Sequence, residues 1–288
     1  MKFTILLFLF SITLSAQIKG IVVDENDKPI SYVNISVENE NAGTTSEENG
    51  TFSITVSKDK NLIFSALGFE KRTIKASETE KVILKETTLN LDEVVIAKRL
   101  ETKKVEIGEN KNSVFQAFDN GPRIDTKFFP YLLSYKKTKY IKKVTLETDS
   151  KIADATIKLH FYSVDENGYP GTELLERDFT AVVKQGITKS IFDLTAYNLR
   201  MPKKGIFVGF EKLIIEKNKS EKTVTDSNTK TTQVKTTYWP FVLYSFVERD
   251  FQYILSGGKW SRKTGKENGK LPAKIMVYEP AINLILTN

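Results

Sequence analysis

The apolar positions of this 288-residue chain recur mostly at every second residue. Turn-forming Gly, Asn, Asp and Pro interrupt them about every ten residues, the pattern of half-buried strands joined by short connections. From Ser31 to Glu38 the alternation puts Val33, Ile35 and Val37 on one face. After the turn Glu48-Asn49-Gly50 it gathers Phe52, Ile54 and Val56. Ile157, Leu159 and Phe161 repeat the pattern in the second half, as do Ile206, Val208 and Phe210. No amphipathic helix of three turns and no fixed-period repeat emerges, so the chain is expected to be all-β.

Two stretches break the alternation. Residues 97–112 are charge-rich and poor in large apolar groups, including Lys98-Arg99 and Lys103-Lys104, and are expected to be a solvated linker. Residues 216–237 are nearly all Lys, Thr, Ser, Asn and Asp, and read as a long hairpin excursion or a mobile loop. The first break divides the chain into a β-domain at 17–96 and a larger one at 113–288.

The chain opens with Met1-Lys2-Phe3-Thr4, an apolar run from Ile5 to Leu14, then Ser15-Ala16-Gln17. A basic start, a short hydrophobic stretch and a small residue make a secretory signal peptide, with cleavage expected after Ala16. The run falls short of the roughly 20 apolar residues that cross a bilayer, and no later segment is long and apolar enough. Export is therefore expected, to the periplasm or the outer-membrane surface. There is no Cys, which removes disulfides and an acylated-cysteine anchor alike; a chain of this size can bury a core without staples.

Lys and Arg number 43 against 36 Asp and Glu, a formal charge of +7. Most lysines are scattered among carboxylates, as on a solvated surface. Export sets nucleic acid aside, and of the anions that suit a basic surplus an envelope lipid or glycan fits best.

Residues 17 to about 90 resemble the carboxypeptidase-like regulatory domain, a transthyretin-like β-sandwich of gram-negative envelope proteins. The resemblance rests on Gly20-Ile21-Val22-Val23-Asp24, Lys28-Pro29-Ile30, Val33 to Val37, Gly43-Thr44-Thr45 through Gly50-Thr51-Phe52, and Phe64-Ser65-Ala66-Leu67-Gly68-Phe69. It implies an accessory module without catalytic residues; Glu47 stands where the family usually has Asp. Leu91-Asp92-Glu93-Val94-Val95-Ile96 is similar to the segment leading into the plug of TonB-dependent transporters. The rest of the chain lacks the amphipathic strands and aromatic girdles of a membrane barrel, so the segment reads as a last strand of the first domain. The remainder, about 105–288, resembles an uncharacterised C-terminal jelly-roll-like sandwich through Ile157 to Tyr162, Gly168-Tyr169-Pro170-Gly171, Phe192-Asp193-Leu194 and Gly205 to Glu211.

Thiol nucleophiles and His-rich zinc sites are excluded by the absence of Cys and the single His. By alternation His160 shares an outer face with Lys158 and Tyr162, so a surface or intersheet histidine is expected. No nucleophile elbow, phosphate loop or dinucleotide fingerprint occurs, and no cofactor or metal is expected. Asp24-Glu25-Asn26-Asp27 and Asp165-Glu166-Asn167-Gly168 lack the spacing of a calcium loop and read as turns.

Two binding features remain. Tyr238, Trp239, Tyr253 and Trp260 hold both tryptophans within a short span, and exposed aromatic rings stack on sugars; the alternative is that they fill the core, with Trp260 the most exposed. Lys136, Lys137, Lys139, Lys142 and Lys143 form the densest basic run beside Phe128 to Leu133, suited to an anionic lipid or acidic glycan. The alternative is a core strand whose edge lysines block aggregation. These features point to a non-catalytic envelope protein that binds a glycan or a surface protein. A carboxylate-based glycan hydrolase and a structural assembly factor are the competing readings.

Overall fold

The computed structural model describes residues 16–87, 101–108, 115–265 and 273–288. Among them the chain is all-β, with helical structure confined to short 3-10 turns such as Leu133–Lys137. The expected leader lies outside the described residues apart from Ala16, which opens the strand Ala16–Val23. The segment 91–96 lies outside them as well.

The first sandwich stacks a three-stranded sheet on a four-stranded one. The smaller sheet runs Thr51–Val56, Ala16–Val23, Lys81–Ile83, and the larger runs Gly43–Thr45, Asn34–Val37, Asn61–Ser65, Arg72–Lys75. In Thr51–Val56 exposed Thr51, Ser53 and Thr55 alternate with buried Phe52, Ile54 and Val56, as the period of two demands. Those three side chains meet Val33, Ile35, Val37, Leu62 and Phe64 in one core.

The second sandwich has two seven-stranded sheets. The first sheet runs Pro170–Glu173, Ala155–Val164, Ile206–Lys212, Ile124–Phe129, Phe251–Ser256, Lys259–Thr264, with Phe179–Val183 also on Ala155–Val164. The second runs Ile275–Pro280, Phe241–Arg249, Tyr140–Ser150, Ile282–Thr287, Lys104–Ile107, with Gly186–Asp193 and Phe115–Ala117 attached. Ile157, Leu159, Phe161, Val208 and Phe210 face Val144, Leu146, Leu284 and Leu286 across the interior.

Within the charged stretch 97–112, Lys104–Ile107 forms a strand antiparallel to Ile282–Thr287; residues 97–100 and 109–112 lie outside the described residues. The polar stretch 216–237 is a two-stranded hairpin, Lys219–Thr225 with Thr232–Tyr238. Both acidic clusters are turns. The Asp24 Oδ1 accepts the backbone N–H of Asn26 and Lys28, and Asp165 Oδ1 accepts those of Asn167 and Tyr169, so each carboxylate replaces a missing backbone acceptor.

Ile206–Lys212 departs from alternation, because all seven of its residues are buried. Its inner face meets the second sheet. Its outer face is covered at Phe207 by the rings of Phe251 and Tyr253 and at Glu211 by Asn34 of the first sandwich.

Candidate functional site

Cross-strand register builds the outer face of the first sheet. Lys158 lies opposite Glu211, His160 opposite Gly209 and Tyr162 opposite Phe207. At Gly209 a Cβ would lie 2.7 Å from Ile124 Cγ2, so the glycine lets Ile124 pack tightly beside His160. The first sandwich closes over this face. Asn34 donates to Glu211 Oε1, and Lys158 Nζ donates to the Tyr32 carbonyl at 2.7 Å. The turn at Gly258 approaches so closely that a Cβ there would collide with Ile63.

His160, its side chain 13% exposed, stands between two carboxylates: Nδ1 is 3.2 Å from Glu173 Oε2, and Nε2 is 2.7 Å from Glu211 Oε2. Burial alone would lower its pKa, but the two carboxylates outweigh burial and hold it at about 10. Burial likewise pushes Glu211 up, while the hydrogen bond from His160 and the charge of Lys158 pull it below the ordinary carboxylate value. Lys158 pairs with Asp178 at 2.9 Å. Tyr162 stacks on His160 with centroids 5.5 Å apart. The cluster thus sets the His160 imidazolium between the carboxyl groups of Glu173 and Glu211, with the Lys158 ammonium beside it. The ring itself bridges the two carboxyl groups, which are 11% and 3% exposed. A cavity of about 220 Å³ adjoins the cluster, walled by both sandwiches.

A larger cavity, about 530 Å³, lies within the second sandwich, inside the range of roughly 300–1,000 Å³ that small ligands occupy. It arises because Ile124–Phe129 and Phe251–Ser256 pair only at Ile124–Leu255 and Asp125–Ile254 and then part. Phe128, Phe207, Phe251 and Tyr253 wall the outer end of the opening. Residues of opposite parity, Lys127 and Gln252, reach the inner end and meet Glu279 and Tyr278 of the other sheet. There Arg249 grips Glu279 with two hydrogen bonds, at 2.8 and 2.7 Å. Lys127, 2% exposed, donates to the Gly108 carbonyl at 2.5 Å and lies 3.5 Å from Glu279. Burial, only partly offset by Glu279, lowers its pKa. Aromatic walls leading to a few converging polar groups are the anatomy of a ligand pocket.

The aromatic residues expected to bind are not brought together. Trp239 is in the core, its ring 4.5 Å from Phe241 and its Nε1–H bonded to Ser220 Oγ. Tyr238 is half-buried at the foot of the polar hairpin. Trp260 belongs to the strand Lys259–Thr264, half-buried and in edge contact with Tyr162. Tyr253 is fully buried and alone of the four lines the larger cavity.

The lysine run is divided too. Lys136, Lys137 and Lys139 are exposed, close in sequence to an 86% exposed Leu133. Lys142 is paired with Glu101, and Lys143 lies opposite Asp193. Their strand, Tyr140–Ser150, is interior to its sheet, so these lysines guard no edge. Sequence reasoning missed Lys127, Arg249 and Glu279. They are far apart in the chain and converge only through register.

Comparison with known proteins bears on the first sandwich. Residues 18–96 match the CarboxypepD_reg-like domain family, which bears out the resemblance read from Gly20 to Phe69. Over 87 residues the chain is 31% identical to the TonB-dependent receptor SusC of Bacteroides thetaiotaomicron, a stretch covering 30% of this chain and 9% of that protein. Among solved structures, that of infectious bursal disease virus, Gt strain, gives a TM-score of 0.21 at 9% identity over 94% of this chain and 63% of that one. The VP2 subviral particle of the same virus gives 0.20 at 10% identity, over 94% and 64%. These scores are too low to mark a common fold. Among the described residues no helix is long and apolar enough to cross a membrane.

Proposed function

We propose that this chain is a non-catalytic, envelope-associated binding protein that takes a saccharide in the larger cavity of its second sandwich. The observation that carries the reading is the aromatic-walled opening ending at Lys127, Arg249, Gln252 and Glu279. Rings supply apolar area for sugar faces, and the polar groups supply hydrogen bonds for hydroxyls. The accessory family matched by the first sandwich and the likeness to a TonB-dependent receptor support the envelope address.

The test is an array of neutral and acidic polysaccharides probed with wild type, Phe251→Ala and Trp260→Ala. Binding lost in Phe251→Ala and kept in Trp260→Ala is expected. Binding indifferent to Phe251→Ala and to Lys127→Met would overturn the cavity as the site.

A glycan hydrolase reading finds its two acids in Glu173 and Glu211. Hydrolysis needs one protonated carboxyl to donate to the leaving oxygen. Here both carboxylates face the same imidazolium, and Glu211 is held below its ordinary range, so the geometry favours binding without turnover. Robust hydrolysis abolished by Glu211→Gln would reverse that preference.

A further inference from the structure

The first sandwich has an edge that the fold leaves open. Thr51–Val56 pairs with Ala16–Val23 on one side and, among the described residues, with no strand on the other. The four-stranded sheet ends beside it at Gly43–Thr45. Edge strands are usually guarded by lysines, prolines or bulges. Thr51–Val56, reading Thr-Phe-Ser-Ile-Thr-Val, has none of these, and its outward side chains are small and uncharged. Thr51 is satisfied locally, its N–H donating to Asn49 Oδ1 and its carbonyl accepting the Glu47 N–H, and the extended residues 52–56 beyond it are a template for one more strand.

Something else stands in front of that edge. In the polar hairpin Lys219 lies opposite Tyr238 and Glu221 opposite Thr236, which puts these four side chains on one face. That face and the open edges of the first sandwich enclose a groove of about 1170 Å³. The hairpin therefore roofs the edge without pairing to it. A single extended segment threaded beneath the hairpin would be held on two sides.

The charge of the groove specifies the segment. In a chain of formal charge +7 this surface is acidic. Its carboxylates, Glu40, Glu47, Asp59, Glu216 and Glu221, outnumber its amines. Lys60 is matched by Glu40, and one ammonium, Lys219, is shared between Glu216 and Glu221. Complementary charge selects and orients a partner more than it tightens it.

We propose that this groove takes a basic, extended polypeptide segment of a partner protein, added as a strand to Thr51–Val56 and covered by the hairpin. Backbone hydrogen bonds supply the affinity. Alternate side chains of the segment pass beneath Thr236 and Tyr238, and flanking lysines or arginines share Glu40 with Lys60 and Glu221 with Lys219.

The test uses the purified protein with short peptides in which Lys alternates with Val and Thr. Controls are the same peptides with Glu in place of Lys, and basic peptides N-methylated at one alternate set of amides or the other. Binding is followed by fluorescence anisotropy and by amide hydrogen exchange. The basic peptide should bind at least about tenfold tighter than the acidic one and slow exchange within residues 51–56. Methylation of one alternate set should abolish binding while methylation of the other leaves it. Glu40→Lys with Glu221→Lys should reverse the preference, with circular dichroism confirming that the variant folds. Equal affinity for both charges, protection elsewhere, indifference to methylation, or no binding of any such peptide at millimolar concentration would each overturn the proposal.

Discussion

Asn34 of the first sandwich donates its side-chain amide to Glu211 Oε1 of the second at 2.5 Å, across 177 residues of sequence. The bond continues a chain that runs from Glu211 through His160 to Glu173. The first sandwich is thereby tied to the charged cluster on its neighbour's outer face.

Breaking that chain should be expensive. Removing one member of a buried pair leaves its partner desolvated and unmatched, at a cost of about 3–5 kcal/mol. Glu211→Gln should therefore lower stability by an amount of that order in denaturant unfolding. Adding His160→Gln should cost less than the separate losses combined, because the two residues act as a unit. Additive losses would show that the contacts are independent.

Stability should also follow pH with a definite sign. His160 rises from 6.5 to about 10 on folding, so its contribution is complete below pH 6.5 and is lost as pH climbs towards 10. Glu211 falls below its ordinary 4.5, so its contribution is complete above that value and is lost on acidification through the folded value. The cluster is strongest between these limits. Thermal unfolding of wild type should weaken from pH 6.5 upward, by at most about 1.4 kcal/mol per unit for one proton, and His160→Gln should remove that slope.

Lys127 separates binding from stability. Its ammonium is buried, and Arg249 keeps both hydrogen bonds to Glu279 without it. Lys127→Met preserves length and apolar volume, so stability should stay within about 1 kcal/mol of wild type or rise. Saccharide binding should weaken all the same. A large loss of stability would assign the amine a structural task instead.

The two tryptophans should behave unequally. Trp239 is 5% exposed in the main core, and its truncation to Ala should cost about 3–5 kcal/mol. Trp260 is half-buried against Tyr162, so Trp260→Ala should cost distinctly less. Similar losses from the two, read by chemical denaturation, would contradict this placement.

Much of the architecture was legible because strands announce their buried face. Phe52, Ile54 and Val56, and Ile157, Leu159 and Phe161, point inward as the alternation requires. What alternation cannot say is whether the opposite, polar face meets water or another part of the chain. Lys158, His160 and Tyr162 therefore read as an outer face, with His160 either at the surface or between sheets, although a trace of the cover was present: Ile206-Phe207-Val208 is apolar on both faces, a sign that neither is wet. The cavity was illegible for a different reason. Lys127, Arg249 and Glu279 share no local motif, and two sheets bring them together. Conversely, Trp239 and Trp260 are near in sequence, but Trp239 lies between the polar hairpin and Phe241–Arg249 of the second sheet while Trp260 is in Lys259–Thr264 of the first, so proximity along the chain misled.

The strand Ile282–Thr287 lies inside its sheet, between Tyr140–Ser150 and Lys104–Ile107. A chain leaving the ribosome can close the sandwich of residues 16–87 early. Tyr140–Ser150 must wait with a bare flank until residues 282–287 have been made. Such distant pairing folds slowly and exposes adhesive edges in the meantime. The second sandwich thus closes late, once residues 282–287 are there to fill that flank.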